Sequence, residues 1–270
     1  MPPDFSFENG GMAKTRVGVT RVHTMFKTTK ALVLRETKYK ETDKILTLLT
    51  PDEGKLTVSA RGVMGGKSKL AAACQLLAFS EVTLFERQGR LYVRETQTIE
   101  QFLGLREDIC SLALGAYFAE ILEAVSDEDS PSPAILNLGL NSLFALSESL
   151  YPPEHIKAVF ELRAMCLSGF EPQLDFCPAC GEEPVQPVFS AIGGSVLCRK
   201  CRGPGYGETF PVGQSVIDAM QHIVNADPKR IFSFSLEDED NKKLLELCEA
   251  YVTAQLERSF STLDYWKKLK

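Results

Sequence analysis

Histidine is scarce, with three in 270 residues, and tryptophan occurs once. His23, His155 and His222 are scattered along the chain. No Gly-x-Ser-x-Gly elbow and no carboxylate motif stands near them, so the usual general acid–base and nucleophile arrangements lack their parts. Nowhere do eighteen apolar residues follow one another, which excludes a membrane-spanning helix. The first 24 residues, MPPDFSFENGGMAKTRVGVTRVHT, have no apolar core like that of a signal peptide. A cytoplasmic protein is expected, with residues 1–24 a flexible extension, natural or added, that receives no fold assignment. Internal repeats and low-complexity tracts are also missing.

Strong positive charge is missing too, since the chain carries 30 Lys and Arg against 36 Asp and Glu, a net charge of −6. That average argues against a nucleic-acid partner, because binding phosphates requires cations that displace counterions. The distribution reverses the argument. Residues 1–105 hold 16 basic against 11 acidic side chains, a net of +5, whereas residues 106–270 carry the remaining charge at −11. DNA or RNA binding is therefore plausible for the front half and, outside local patches, disfavoured for the back half.

Between residues 28 and 100 apolar and polar residues alternate with period two. Strands are expected at 28–36, 44–50, 55–61, 80–87 and 91–100, with a tight turn at PDEG, 51–54. The alanine-rich SKLAAACQLL, 68–77, is expected to form a short helix between the third and fourth strands. Five strands with a helix in that place is the order of an OB barrel. Beyond residue 105 the apolar spacing becomes helical over 106–125, 134–149, 154–168, 213–225 and 239–268, with SDEDSPSP and YPP separating helices. The fold class expected is α+β and multidomain: a five-stranded OB-fold β-barrel over 25–105, then an α-helical domain over 106–270 with an inserted four-cysteine zinc finger at 177–201.

Cys177, Cys180, Cys198 and Cys201 form two Cys-x-x-Cys pairs, the spacing of a four-thiolate tetrahedral site. Gly181 and the Gly193–Gly194 pair supply the tight backbone of such knuckles, and PVFSAIGGSVLC between them reads as a hairpin. Four thiolates leave no open position for substrate or water, so one structural Zn²⁺ per chain is expected. Arg199, Lys200 and Arg202 form its basic rim. Cys74, Cys110, Cys166 and Cys248 sit singly among apolar neighbours and are expected to be small buried hydrophobes.

On the barrel, Lys55, Thr57, Ser59 and Arg61 alternate with apolar Leu56, Val58 and Ala60, and Tyr92 and Arg94 alternate with Leu91 and Val93. Arg35, Lys38, Tyr39, Lys40 and Lys44 flank the first hairpin, and Lys67 and Lys69 follow the third strand. Cations for phosphates and tyrosines for bases are the residue types of a single-strand groove. GGKS at 65–68 mimics a phosphate-binding loop but fails on spacing, since the glycine required five positions before Gly66 is Arg61.

TTKALVLRETKYKETDKILTLLTPDEGKLTVSARGV and KSKLAAACQLLAFSEVTLFE resemble the amino-terminal OB domain of the RecO family of bacterial recombination mediators. LDFCPACG, FSAIGGSVLCRKC and ERSFSTLDYW resemble that family's helical domain with its zinc finger, and the likeness runs from about Met25 to Lys270. The resemblance implies a non-enzymatic, stoichiometric DNA-repair protein beside the bacterial nucleoid. Such a protein binds single- and double-stranded DNA, anneals complementary strands and, with RecR, helps RecA replace single-strand-binding protein. It also implies that Arg35, Lys38, Lys44, Arg61, Lys67 and Lys69 occupy the family's DNA-facing basic positions. One departure is the run Val63, Met64, Gly65, Gly66, where relatives carry further basic residues. Arg258, Trp266, Lys267 and Lys268 offer a rim for the single-strand-binding protein's acidic C-terminal tail, with core packing the competing role for Trp266. The competing function is a zinc-stapled protein–protein adaptor that does not bind DNA.

Overall fold

The structure, a computed structural model, describes residues 26–270, so the extension expected over 1–24 lies outside the described residues. Five strands, β1 (Phe26–Tyr39), β2 (Asp43–Thr50), β3 (Gly54–Ala60), β4 (Phe79–Arg87) and β5 (Arg90–Glu100), close a barrel in the order β1-β2-β3-β5-β4. All pairs are antiparallel except β3–β5, which run parallel through Val58↔Leu91 and Ser59↔Tyr92. This is the OB arrangement. Alternation fills the interior: Val33, Leu46, Leu48, Val58, Leu84 and Val93 all point into one core. The first half of β1 pairs with β4 and the second half with β2, and a bulge between Val33 and Arg35 turns the strand from one partner to the other.

The helix expected over 68–77 does not form; the segment is a chain of turns. Leu77 sits at φ 65, and the segment's closing end is clamped to β1 by Leu77 N–H donating to the Val33 carbonyl (2.9 Å) and Val33 N–H donating to the Ala78 carbonyl (3.0 Å). So short a helix gains little from propensity alone, and these strand contacts outweigh it. Residues 126–140 group with the barrel by their packing. There the backbone of Glu128 pairs with Gly54, and Ser132 N–H donates to the Pro51 carbonyl (3.2 Å).

The second compact unit contains Gly104–Val125 and Asn141–Lys270. The helices of the chain are α1 (Gly104–Glu107), α2 (Ile109–Val125), α3 (Pro133–Ser147), α4 (Pro153–Leu167), α5 (Gln214–Asn225), α6 (Asp238–Gln255) and α7 (Ser261–Leu269). Asp108 caps α2, accepting hydrogen bonds from the Ser111 amide (2.8 Å) and hydroxyl (2.7 Å). The single helix expected over 239–268 is broken between α6 and α7. Glu257 there takes φ 50, which turns the chain so that Phe260 is buried edge-on against Tyr117, with centroids 5.5 Å apart. Burying that ring outweighs the lost helical hydrogen bonds.

Fully buried Lys157 and Glu161 on α4 form an ion pair at 2.8 Å. Glu249 of α6 approaches Lys157 at 3.1 Å, and the Tyr117 hydroxyl donates to Glu161 Oε1 at 2.5 Å. These partners favour the charged form of Lys157 over its desolvation, whereas burial still raises the Glu161 carboxyl, whose Oε2 has no hydrogen-bond partner among the described residues. The inserted finger is a three-stranded sheet in the order β7-β6-β8, built from β6 (Pro187–Ser190), β7 (Ser195–Cys198) and β8 (Thr209–Pro211). The hairpin β6–β7 matches the sequence reading; β8 was not foreseen. Gln173 ties the finger to its unit, donating from its amide to Gly194 (2.8 Å) and accepting from the Val196 amide (2.9 Å), while Phe189 packs edge-on against Tyr251 of α6.

Candidate metal centre and nucleic-acid interface

The Sγ atoms of Cys177, Cys180, Cys198 and Cys201 all lie within 4.8 Å of one another. A zinc–sulfur bond of about 2.3 Å implies tetrahedral sulfur–sulfur edges of about 3.8 Å. The Cys180–Cys198 separation is 3.8 Å, and all four cysteines are free of disulfides. The first knuckle turns by the Gly181 amide donating to the Cys177 carbonyl (2.7 Å), with Gly181 at φ 78, and the Cys177 amide donates to Glu182 (2.9 Å). Cys177 and Cys198 are buried beside Val188 and Leu197, while Cys180 is exposed. Burial raises the Cys177 thiol, but backbone N–H groups of Cys198, Ala179 and Cys180 outweigh it and bring it down to about 6. Cys201 is pushed up to about 12, first by burial and then by its neighbouring thiols. Sulfurs this close resist joint ionisation, and a divalent cation removes that conflict. The donor set therefore fits a closed structural zinc site. Arg199, Lys200 and Arg202 are exposed around it.

Of the remaining cysteines, Cys74 and Cys248 are buried as expected, whereas Cys110 and Cys166 are half-buried. Burial pushes Cys74 up to about 11 and Cys166 up to about 12, which keeps both thiols protonated and unreactive at neutral pH.

On the barrel, Arg35, Lys38, Tyr39, Lys40, Arg61, Lys67, Lys69 and Arg94 are exposed. The turn after β1 and the segment after β3 are stitched together by the Met64 amide donating to Thr42 (2.9 Å) and the Gly62 amide donating to Asp43 Oδ1 (2.8 Å), which brings the backbone near Lys40 and Arg61 together. The Gly62 N–H holds the Asp43 carboxyl below its ordinary range. Lys44 is ion-paired to Glu36 at 2.7 Å and largely covered.

Tyr92 requires a correction. Its strand parity is as expected, but the ring is only 8% exposed, stacked on Phe85 at 5.2 Å and lying under the Arg61 guanidinium at 4.3 Å. A base stacking on it would first have to displace one of these. Phe85 in turn tilts against Phe26, whose ring lies 4.2 Å from the Arg94 guanidinium. Arg61, Tyr92, Phe85, Phe26 and Arg94 thus form a cation–aromatic ladder across the strands. Phe26 and Phe85 were not foreseen in it.

A groove of about 560 Å³ opens on the outer face of β2 and β3 beside the β4–β5 turn. Tyr39, Lys55, Thr57, Ser59, Arg90 and Leu91 line it, together with Glu128 and Asp129. Among the ten expected DNA-contact residues, Tyr39 alone lines this groove. Lys55, Thr57 and Ser59 carry a legible signal, the polar face of β3; Arg90 follows the hairpin glycine Gly89.

At the chain's other end the proposed rim changes character. Trp266 is buried in the core of its unit. Arg258 is bonded to Glu120 (2.9 Å), and Lys267 to Glu249. Trp266, 3% exposed and with Lys270 Nζ 3.9 Å from its ring centroid, has no exposed apolar face to frame. Among the described residues no helix is long and apolar enough to cross a membrane.

Comparison with known proteins adds two family models, "Recombination protein O N terminal", matching residues 25–102, and "Recombination protein O C terminal", matching residues 106–264. The chain is 31% identical over 242 residues to the DNA repair protein RecO of Acetivibrio thermocellus, spanning 89% of this chain and 96% of that relative. It is 30% identical over 243 residues to the RecO of Symbiobacterium thermophilum (88% and 96% covered) and 32% identical over 244 residues to that of Desulforudis audaxviator (89% and 96%).

Proposed function

The chain belongs to the recombination protein O family, and from that premise we propose that it acts in DNA repair as a non-enzymatic recombination mediator, binding DNA through its barrel. The observation that carries this reading is the groove on β2–β3, where Lys55 and Arg90 offer charge to phosphates, Thr57 and Ser59 offer hydroxyls, and Tyr39 offers an exposed ring. Residues 25–105 are then the DNA-handling domain. Residues 106–270, apart from 126–140, which group with the barrel, are its companion, shaped by one structural zinc on Cys177, Cys180, Cys198 and Cys201.

Annealing follows from screening. Cations that neutralise two phosphate backbones lower the cost of bringing the strands together, and base pairing supplies the drive without a nucleotide cofactor. In this reading Lys38, Lys40, Lys67 and Lys69 contribute the outer field, and the duplex is held by its backbone rather than by its bases. Arg35, Arg61 and Arg94 add phosphate contacts, Lys44 contributes less because Glu36 already occupies it, and Tyr92 contributes through the guanidinium it supports. The family resemblance supplies the partners: RecR, the tail of single-strand-binding protein, and RecA, which is loaded indirectly. A cytoplasmic, nucleoid-associated location accords with such a role.

Fluorescence anisotropy with a labelled single-stranded oligonucleotide tests the reading. Wild type is expected to bind at low salt, and Lys55→Ala/Arg90→Ala to bind more weakly. The slope of log K against log salt should fall by about 1.4 in magnitude, two contacts at roughly 0.7 each for single strands. Absence of binding by wild type at low salt rejects the proposal in favour of a zinc-stapled adaptor.

A further inference from the structure

We propose that the acidic segment Asp127–Glu128–Asp129 is a built-in electrostatic stop at the Gly54 end of the barrel groove, which ends the path of a bound polynucleotide there and keeps its hold weak. The inference rests on reading that groove as a nucleic-acid surface.

The segment is far from β3 in sequence yet fixed against its first residues. The Lys55 amide donates to the Asp127 carbonyl at 3.0 Å, and Glu128 forms an antiparallel bridge with Gly54. The Ser132 amide closes the strap onto Pro51. Approach this close requires glycine. Gly54 sits at φ +64, and a Cβ there would lie 2.2 Å from the Asp127 carbonyl oxygen and 2.4 Å from that of Ser130. Glu128 and Asp129 are exposed, and both line the same groove as Lys55 and Arg90. Backbone bonds hold the strap, so its position does not depend on those carboxylates.

Fixed anions at one end of a cationic groove act on phosphates by simple repulsion, over a range of about 10 Å at 0.1 M salt. The register sets the direction of the path. Ile45↔Ser59 lies at the Tyr39 end and Thr50↔Gly54 at the strap end, so a strand entering beside Tyr39 meets its stop after Lys55. A protein that brings strands together must also let them go. A groove that contains its own competing charge releases polynucleotide faster than its lysine and arginine alone would allow.

The test uses the full chain carrying Glu128→Gln/Asp129→Asn and a series of fluorescein-labelled oligothymidines of increasing length. At low salt this variant is expected to bind about fivefold more tightly than wild type, mainly through slower dissociation. Its affinity should also keep rising with oligonucleotide length after that of wild type has levelled off. At high salt the gain should shrink below about twofold. Glu182→Gln/Glu183→Gln removes the same net charge at the finger and should change nothing. The stop is overturned if the strap variant equals wild type at low salt, or if the finger variant gains as much. These outcomes are separable from failure of the groove itself. Binding that weakens in Lys55→Ala/Arg90→Ala but is unchanged in the strap variant rejects the stop alone, whereas a wild type that binds no oligonucleotide rejects both.

Discussion

Replacing Gly54 with alanine isolates what the strap contributes to the barrel, because a second glycine provides the control. Gly54 and Gly89 both occupy the left-handed region, at φ +64 and +70. Each substitution therefore incurs the same backbone strain, about 1–2 kcal/mol. The surroundings differ. Nothing lies within 4 Å of a Cβ on Gly89, whereas on Gly54 it would collide with two backbone carbonyls that belong to the strap. The strap must then lift, and the Lys55–Asp127 and Ser132–Pro51 hydrogen bonds are lost, at about 1 kcal/mol each. Gly54→Ala is thus expected to cost about 3–4 kcal/mol and Gly89→Ala about 1–2 kcal/mol. Urea unfolding followed by far-ultraviolet circular dichroism measures both. Hydrogen exchange adds a local reading, since the Lys55 amide should lose protection in Gly54→Ala and keep it in Gly89→Ala. Equal costs within about 0.5 kcal/mol, with the Lys55 amide still protected, would refute the account of the strap as a packed element.

Metal analysis of the purified chain should give one zinc per molecule. Cys177→Ser should lower that content and expose the Val196 amide to exchange, while oligonucleotide affinity stays within about twofold of wild type; a folded variant that no longer bound DNA would make the finger part of the interface. Stability should also depend on pH through His155, whose folded pKa is lowered by burial against the opposing hydrogen bond to the Phe232 carbonyl (3.0 Å). The fold favours the neutral ring, so this contribution is fully present above the unfolded value of about 6.5 and is lost as pH falls below it, when the unfolded chain takes up the proton first. Urea midpoints from Trp266 fluorescence should therefore drop on acidification below about pH 6.5 in wild type, and less in His155→Gln, whose amide still reaches Phe232; identical profiles would exclude His155 as the cause.

The barrel was legible because each of its strands keeps one face inside. Alternation in KLTVSAR and LYVRETQTIE leaves one register that buries Val58 and Val93, and the strand order follows from closing the sheet. The four-cysteine cluster was legible because spacing within a Cys-x-x-Cys turn is a local property. What escaped the sequence was decided by residues distant in the chain. Alanine-rich 68–77 has helical propensity, yet the Val33 backbone bonds its last residue, Leu77, and the following Ala78, and holds it in turns. Helical spacing continues through 239–268, yet Tyr117 provides a site for Phe260 that only a break can reach. The apolar stripes of α4 gave no hint that Lys157 and Glu161 would be buried together, because their partners Tyr117 and Glu249 come from other helices. The strap was invisible for the same reason: SDEDSPSP reads as a loop, and only Gly54 makes it part of the barrel.

The same distinction sorts the cations of the barrel by what they can still do. Lys44 is already neutralised by Glu36, and a phosphate would have to compete with a carboxylate held at 2.7 Å. Arg61 and Arg94 are occupied differently: each guanidinium sits over an aromatic ring, Tyr92 at 4.3 Å and Phe26 at 4.2 Å, which restricts its rotamers, and Arg94 also meets Glu95 at 3.5 Å through Nε. Less side-chain entropy is lost when such an arginine takes a phosphate, so the ladder favours contact at fixed positions. Lys67 and Lys69 are exposed and would act instead through their field, which salt screens first. In the proposed reading, the stacked arginines and the Lys55–Arg90 groove would fix where a backbone lies, the remaining lysines would raise the rate of arrival, and the carboxylates of the strap would limit how long it stays.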